Sequence, residues 1–293
     1  MTEFAVDWVD AFTDQPFGGN GCAVVQDAAH LDDETCMRFV RETSLVECTF
    51  LGPSDVAEVR VRYFLASGEI PFAGHPTVAS VAALRHRGFA PGDSLTLETG
   101  AGIVPVEIGT GDAPWITMTQ VAPSFGDTVL HEFVAHVVGL APDDLISEPQ
   151  ITSTGLPFVI ALVKDLETLV RARLDLDALD EMARVTGARG PDMLEPYLIT
   201  REGWTDGGDT FARLMLAPPS PPEDPFTGSA TGAAAAYLWH HSLIDSPRYV
   251  AEQGHGMGRP GQARVEVLGP REVITGVKVS GQAHVLMSGS LYL

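Results

Sequence analysis

The chain has 293 residues, 45% hydrophobic and 19% charged, with glycine and proline spread along it; that length gives room for two domains around a sizeable core and excludes a disordered chain. A formal charge of −21 with two lysines, Lys164 and Lys278, repels phosphate backbones and anionic lipid, so neither nucleic acid nor a membrane is an expected partner. Cys22, Cys36 and Cys48 are odd in number and lack a CxxC spacing, which speaks against a disulfide framework or a zinc site, and without a leader or a ~20-residue apolar run the expected compartment is the cytoplasm.

In chain order, Phe4 to Ala11 reads as a strand, a turn-forming run covers Thr13 to Gly21, and Cys22 to Val25 reads as a second strand. Asp32 and Asp33 can cap a helix running to Thr43 with Met37, Phe39 and Val40 as its apolar stripe. Glu47 then opens a short strand to Leu51, and Val59 to Leu65 alternates as a half-buried strand does. From Phe72 to Leu84 the residues are small and apolar nearly all round, which predicts a buried helix with Pro76 in its first turn. Strands are expected at Ser94 to Leu97, Ile103 to Ile108 and Trp115 to Thr119.

The Pro-containing segment Gln120 to Phe125 marks a boundary, after which Leu130 to Val138 is amphipathic. The second half offers a strand at Phe158 to Val163, a helix at Ala178 to Thr186 and a strand at Phe211 to Leu216. A second small-residue helix starts at Gly228, and closing strands are expected at Val265 to Val267, Val273 to Val279 and His284 to Met287. Residues 1–122 and 123–279 therefore form the two expected halves, with a last strand near 280–293 returning to the first. Pro218 to Pro222 reads as a rigid lead into the turn at Asp224.

An internal match supports that division. Glu69-Ile-Pro-Phe-Ala-Gly-His-Pro-Thr77 and Glu223-Asp-Pro-Phe-Thr-Gly-Ser-Ala-Thr231 align at a constant offset of 154 residues and both run on into small-residue helices. This predicts a duplicated unit. A helix start leaves up to four backbone N–H groups unpaired and favours negative charge, so two facing copies would form an anion site from the amides of Gly74, His75, Gly228 and Ser229. His75 stands where the second copy has Ser229, and Asp224 where the first has Ile70. One cleft would thus hold an imidazole, a hydroxyl and a carboxylate, the groups that proton transfer needs.

Other histidines point elsewhere. His240 and His241 are adjacent and lack the i, i+4 spacing of a helical metal pair, while the glycines around His255 do not follow the dinucleotide fingerprint. Neither a metal nor a nucleotide is expected.

Asn20-Gly-Cys-Ala-Val-Val, Leu-Val-Glu47-Cys-Thr-Phe, Arg62-Tyr-Phe, the two Glu-x-Pro-Phe motifs and Gln253-Gly-His-Gly-Met-Gly-Arg-Pro-Gly261 together resemble the successive signatures of the PhzF family of phenazine biosynthesis. The resemblance spans nearly the whole chain. It implies an α+β, diaminopimelate epimerase-like fold: two pseudo-equivalent halves, each a curved, mostly antiparallel sheet wrapped around a central helix. It also implies a cofactor-independent isomerase of a small carboxylate substrate and a homodimer. Glu47 takes the family's catalytic glutamate position, shuttling a proton between substrate carbons; His75 and Asp224 assist it, and Asn20, Gly74, Gly228 and Ser229 hold the substrate.

Relatives with two catalytic thiols carry one before each motif glycine, where this chain has Ala73 and Thr227, so two-thiol racemisation is not expected. The chain departs from the family at Gly21, where Asn-Pro is usual, and at Leu65-Ala66, where Thr-Pro is common. Three activities fit these residues: an isomerase of trans-2,3-dihydro-3-hydroxyanthranilate or of pyrroline carboxylates in antibiotic biosynthesis, a thiol-free racemase, or a binding protein for small carboxylates.

Overall fold

The computed structural model describes residues 1–89, 92–111, 113–187 and 194–293. Their strands join in a single mixed sheet of 18 strands that curls twice, once around each of two buried helices. The helix Gly74–His86 sits in the first curl and Gly228–His240 in the second. Both are clothed almost entirely in Ala, Val, Thr, Ser and Gly, so neither has a polar face to offer water; from Gly228 to Leu238 every residue is buried.

In the first half the strands Glu3–Ala11, Asn20–Val25, Glu47–Gly52 and Val59–Leu65 follow one another, the second and third running parallel. Ser94–Thr99, Gly102–Ile108 and Ile116–Gln120 complete the curl. The second half repeats the order. Gln150–Ser153, Pro157–Leu162, Pro196–Thr200 and Thr210–Met215 precede its helix, and Arg248–Gln253, Gly261–Leu268 and Gly276–Gly281 follow it. The two curls meet where Ile116–Gln120 pairs antiparallel with Gly276–Gly281. The terminal strand Ala283–Tyr292 pairs antiparallel with Glu3–Ala11, carrying the chain end back across the first curl.

Asp32 caps the helix Asp33–Thr43, its side chain accepting from Thr35 N at 2.8 Å. Pro196–Thr200 and Arg248–Gln253 are strands that the sequence pattern did not predict: the first opens on a proline, and the second carries Arg248, Glu252 and Gln253. The expected strand Val273 to Val279 begins only at Gly276, because Pro270 to Val273 is tied in a turn by Val273 N–H on Pro270 O at 3.1 Å.

Across the junction Phe12 stacks on Phe226 with centroids 4.3 Å apart. Arg259 adds a polar clasp, donating to the carbonyls of Gly18 and Gly19 and pairing with the fully buried Asp10 at 2.7 Å. These contacts fix the loop that precedes Asn20, and through it the approach of the first half to the second.

Candidate active site

Local sequence decides where each polar group is held. Glu47 opens its strand beside Cys22, two residues past Asn20, so both side chains lie at the same end of a parallel pair. Asp224 belongs to the two-residue strand Glu223–Asp224, pinned by Arg213 on Glu223 at 2.7 Å; Arg62 on Glu69, also at 2.7 Å, does the same in the first half. His75 is the second residue of its helix and is 2% exposed.

Asn20, His75 and Asp224 form one hydrogen-bonded group. Asn20 Nδ2 lies 2.9 Å from His75 Nδ1, 2.5 Å from Asp224 Oδ1 and 3.0 Å from Phe226 O. Thr227 donates to Asp224 Oδ2 at 2.6 Å, while Gln253 donates to Asp224 O at 2.8 Å and accepts from Thr227 N at 3.0 Å. Glu47 Oε2 stands 3.8 Å from His75 Nδ1, with 13% of its side chain exposed.

Burial first, then the positive charge of Arg259, pushes His75 down to about 3, with the Gly21 backbone opposing. Burial also pushes Asp224 up to about 6; hydrogen bonds from Thr227 and Asn20 pull it back, and the Glu223 charge adds to the rise. The two act on stability with opposite signs. Asp224, raised from 3.8, contributes stability that is full below that value and lost as pH rises through about 6. His75, lowered from 6.5, contributes stability that is full above that value and lost as pH falls toward about 3. Asp224→Asn removes only the first. Between pH 6.5 and pH 4 the variant should therefore lose about 2 kcal/mol more stability than the parent. Urea unfolding at the two pH values measures this, and parallel curves for the two proteins would contradict it.

The helices Asp33–Thr43, Leu166–Arg171 and Leu176–Thr186 each carry an aspartate cap, whereas Gly74–His86 and Gly228–His240 start without a side-chain cap. Their amide ends are thus available to an anion. The two starts touch: a Cβ on Gly74 would lie 2.6 Å from Gly228 Cα and against Ser229 N. Beside this contact Glu47, Asp224, Thr227 and Ser229 line a cavity with Leu65, Phe158 and Glu195, leaving about 40 Å³ of free space.

The sequence-derived residues therefore converge. Asn20 is 2% exposed, with its amide nitrogen within hydrogen-bond distance of His75, Asp224 and the Phe226 carbonyl, and it is not among the residues that line the cavity. Thr227, Gln253, Arg259 and Glu195 were not singled out; the first three stand in or beside the quoted motifs, which signalled the segment without assigning them a role. The cysteines are all buried and free, and burial pushes the thiols of Cys36 and Cys48 up to about 12, so thiolate chemistry has no ready source. Among the described residues no group of three or more His, Cys, Asp or Glu side chains could hold a metal ion, and no helix is long and apolar enough to cross a membrane.

The family of phenazine biosynthesis-like proteins, PhzC-PhzF, matches residues 9–289. The chain belongs to this family. An uncharacterized isomerase of Clostridium acetobutylicum is 32% identical over 97% of both chains. The trans-2,3-dihydro-3-hydroxyanthranilate isomerase of Pseudomonas aeruginosa is 29% identical, covering 97% of this chain and 98% of its own. Among solved structures, the PhzF-family protein of Bacillus anthracis superposes with a TM-score of 0.86 at 30% identity, covering 100% of both chains. The α+β architecture of two curled halves is that of the PhzF family.

Proposed function

We propose that this isomerase moves a proton, and a double bond with it, within a small unsaturated carboxylic or amino acid, using Glu47 as the acid–base group and no cofactor. The observation that carries the reading is the placement of Glu47 on the wall of a cavity at two abutting, uncapped helix starts, with a neutral His75 behind it. Amides at Gly74, Gly228 and Ser229 would hold the substrate carboxylate and stabilise the enolate-like charge that appears when a neighbouring proton leaves. Glu47 takes that proton. His75, in contact with Asn20, is neutral at working pH and so does not compete with Glu47 for the proton. Asp224 keeps Asn20 in place and, with its carboxyl raised to about 6, can share a proton with this group. The free space of about 40 Å³ is close to that of one water, so the walls must part to admit a ring acid.

Proton NMR in D₂O with dihydroaromatic and pyrroline acids tests this. The expected result is deuterium uptake together with migration of a double bond, first examined with trans-2,3-dihydro-3-hydroxyanthranilate because a relative is named for it. Uptake at the α-carbon with inversion and an unmoved double bond would replace the isomerase by a racemase. Stoichiometric binding without exchange of substrate protons would leave a carrier.

A further inference from the structure

Strand register extends the duplication upstream of the helix motifs. Ile70 and Asp224 are equivalent by the 154-residue match; Ile70 pairs with Tyr63, and Asp224 with Leu214. Tyr63 in turn faces Thr49, and Leu214 faces Tyr197. Thr49 and Tyr197 are therefore equivalent, and so are the residues two places before each: Glu47 and Glu195. The pairs Arg62–Glu69 and Arg213–Glu223, both 2.7 Å, hold the same relation and confirm the register. The symmetry mate of Glu47 is thus a second glutamate, and both line the same cavity.

Two equivalent groups, one from each half, on the wall of one cavity can reach a ligand between them from different sides. Their surroundings differ in the way an acid and a base require. Glu47 stands 3.8 Å from His75, and Glu195 has Leu194, Leu214 and Leu216 around the cavity wall beside it. Glu195 accepts from Ala217 N at 3.2 Å and from its own backbone, and has no ion-pair partner among the described residues. Burial pushes its carboxyl up, toward a form that carries a proton.

We propose that Glu195 is the second acid–base group of this site, giving a proton to the substrate on the face opposite Glu47. The proposal rests on the proton-transfer reading above. The Glu47 carboxylate removes hydrogen from one carbon, and that C–H pair becomes the new double bond. The old double bond opens, and its pair takes the proton of Glu195 at the far carbon. Substrate and product have the same formula. Glu47 is left protonated and Glu195 ionised, and proton exchange with water restores the starting pair.

Two measurements decide the matter. With glutamate labelled by ¹³C at the side-chain carboxyl, signals assigned from Glu47→Gln and Glu195→Gln should titrate as a coupled pair: each substitution lowers the midpoint of the remaining carboxyl by about one pH unit. Midpoints that ignore the partner's removal would overturn the shared site, whatever the substrate. With trans-2,3-dihydro-3-hydroxyanthranilate, Glu195→Gln should lower kcat about 100-fold or more with KM changed only a few-fold, and Glu195→Asp should recover part of it. Full kcat in Glu195→Gln, or return of the substrate's own hydrogen to the product of the parent, would overturn the role. If the parent leaves that acid unchanged, the choice of substrate has failed, and the titration alone decides Glu195.

Discussion

Glu47→Gln is expected to fold as the parent does and to lose about 10²- to 10⁴-fold of its turnover. The amide keeps the shape of the side chain but can neither accept a carbon-bound proton nor return one. Stability should change little, because the neighbouring His75 is neutral at working pH and no charge pair between the two is lost. An unfolding midpoint within about 4 °C of the parent, followed by circular dichroism, would match a change near 1 kcal/mol in a chain of this size. Glu47→Asp moves the carboxylate back by one methylene and should recover part of the turnover. Turnover of Glu47→Gln within a few-fold of the parent would remove Glu47 from the chemistry, and the site would then need a different base.

Much of this arrangement was legible in the sequence because the physics behind it is local. Val59–Leu65 has the bounds that its alternation predicts, and Asp32 caps the helix that its position announces. The two central helices were visible as small-residue runs with no polar face, which can exist only inside a sheet that wraps them. The repeated Glu-x-Pro-Phe-x-Gly lead-in placed Gly74 and Gly228 in equivalent positions, and the structure brings them into contact.

What escaped the sequence depends on long-range pairing. The duplication is hidden upstream of residue 69 because loop lengths differ: the offset is 154 residues at Glu69 and Glu223, 151 at Arg62 and Arg213, and 148 at Glu47 and Glu195. No single alignment shift shows all three. Pro196 also disguises the strand that follows Glu195, since a proline weighs against a buried strand unless it stands at the first position, as it does here. Asn20 was legible as a motif residue, but its partners were not. Only the fold reveals that its amide spans 55 residues to His75 and 204 to Asp224.

The contact between the helix starts gives the second large effect, in Gly74→Ala. A methyl at that position meets backbone from the other half: it would lie 2.5 Å from the Gly228 carbonyl carbon and 2.6 Å from its Cα, besides pressing on Ser229 N. None of these atoms can rotate aside, so the helix starts must move apart. The cost should fall at the upper end for overpacking, about 3 kcal/mol. Gly289→Ala is the matched control, since nothing lies within 4 Å of the added carbon there. Urea unfolding should therefore separate the two variants clearly. Under the proposed placement of the substrate, activity should fall further in Gly74→Ala than unfolding explains, because the amides of Gly74, Gly228 and Ser229 would no longer converge on one carboxylate. If Gly74→Ala matches Gly289→Ala in both stability and kcat/KM, the abutting helix starts do not form the anion site, and the placement of substrate against Glu47 loses its physical basis.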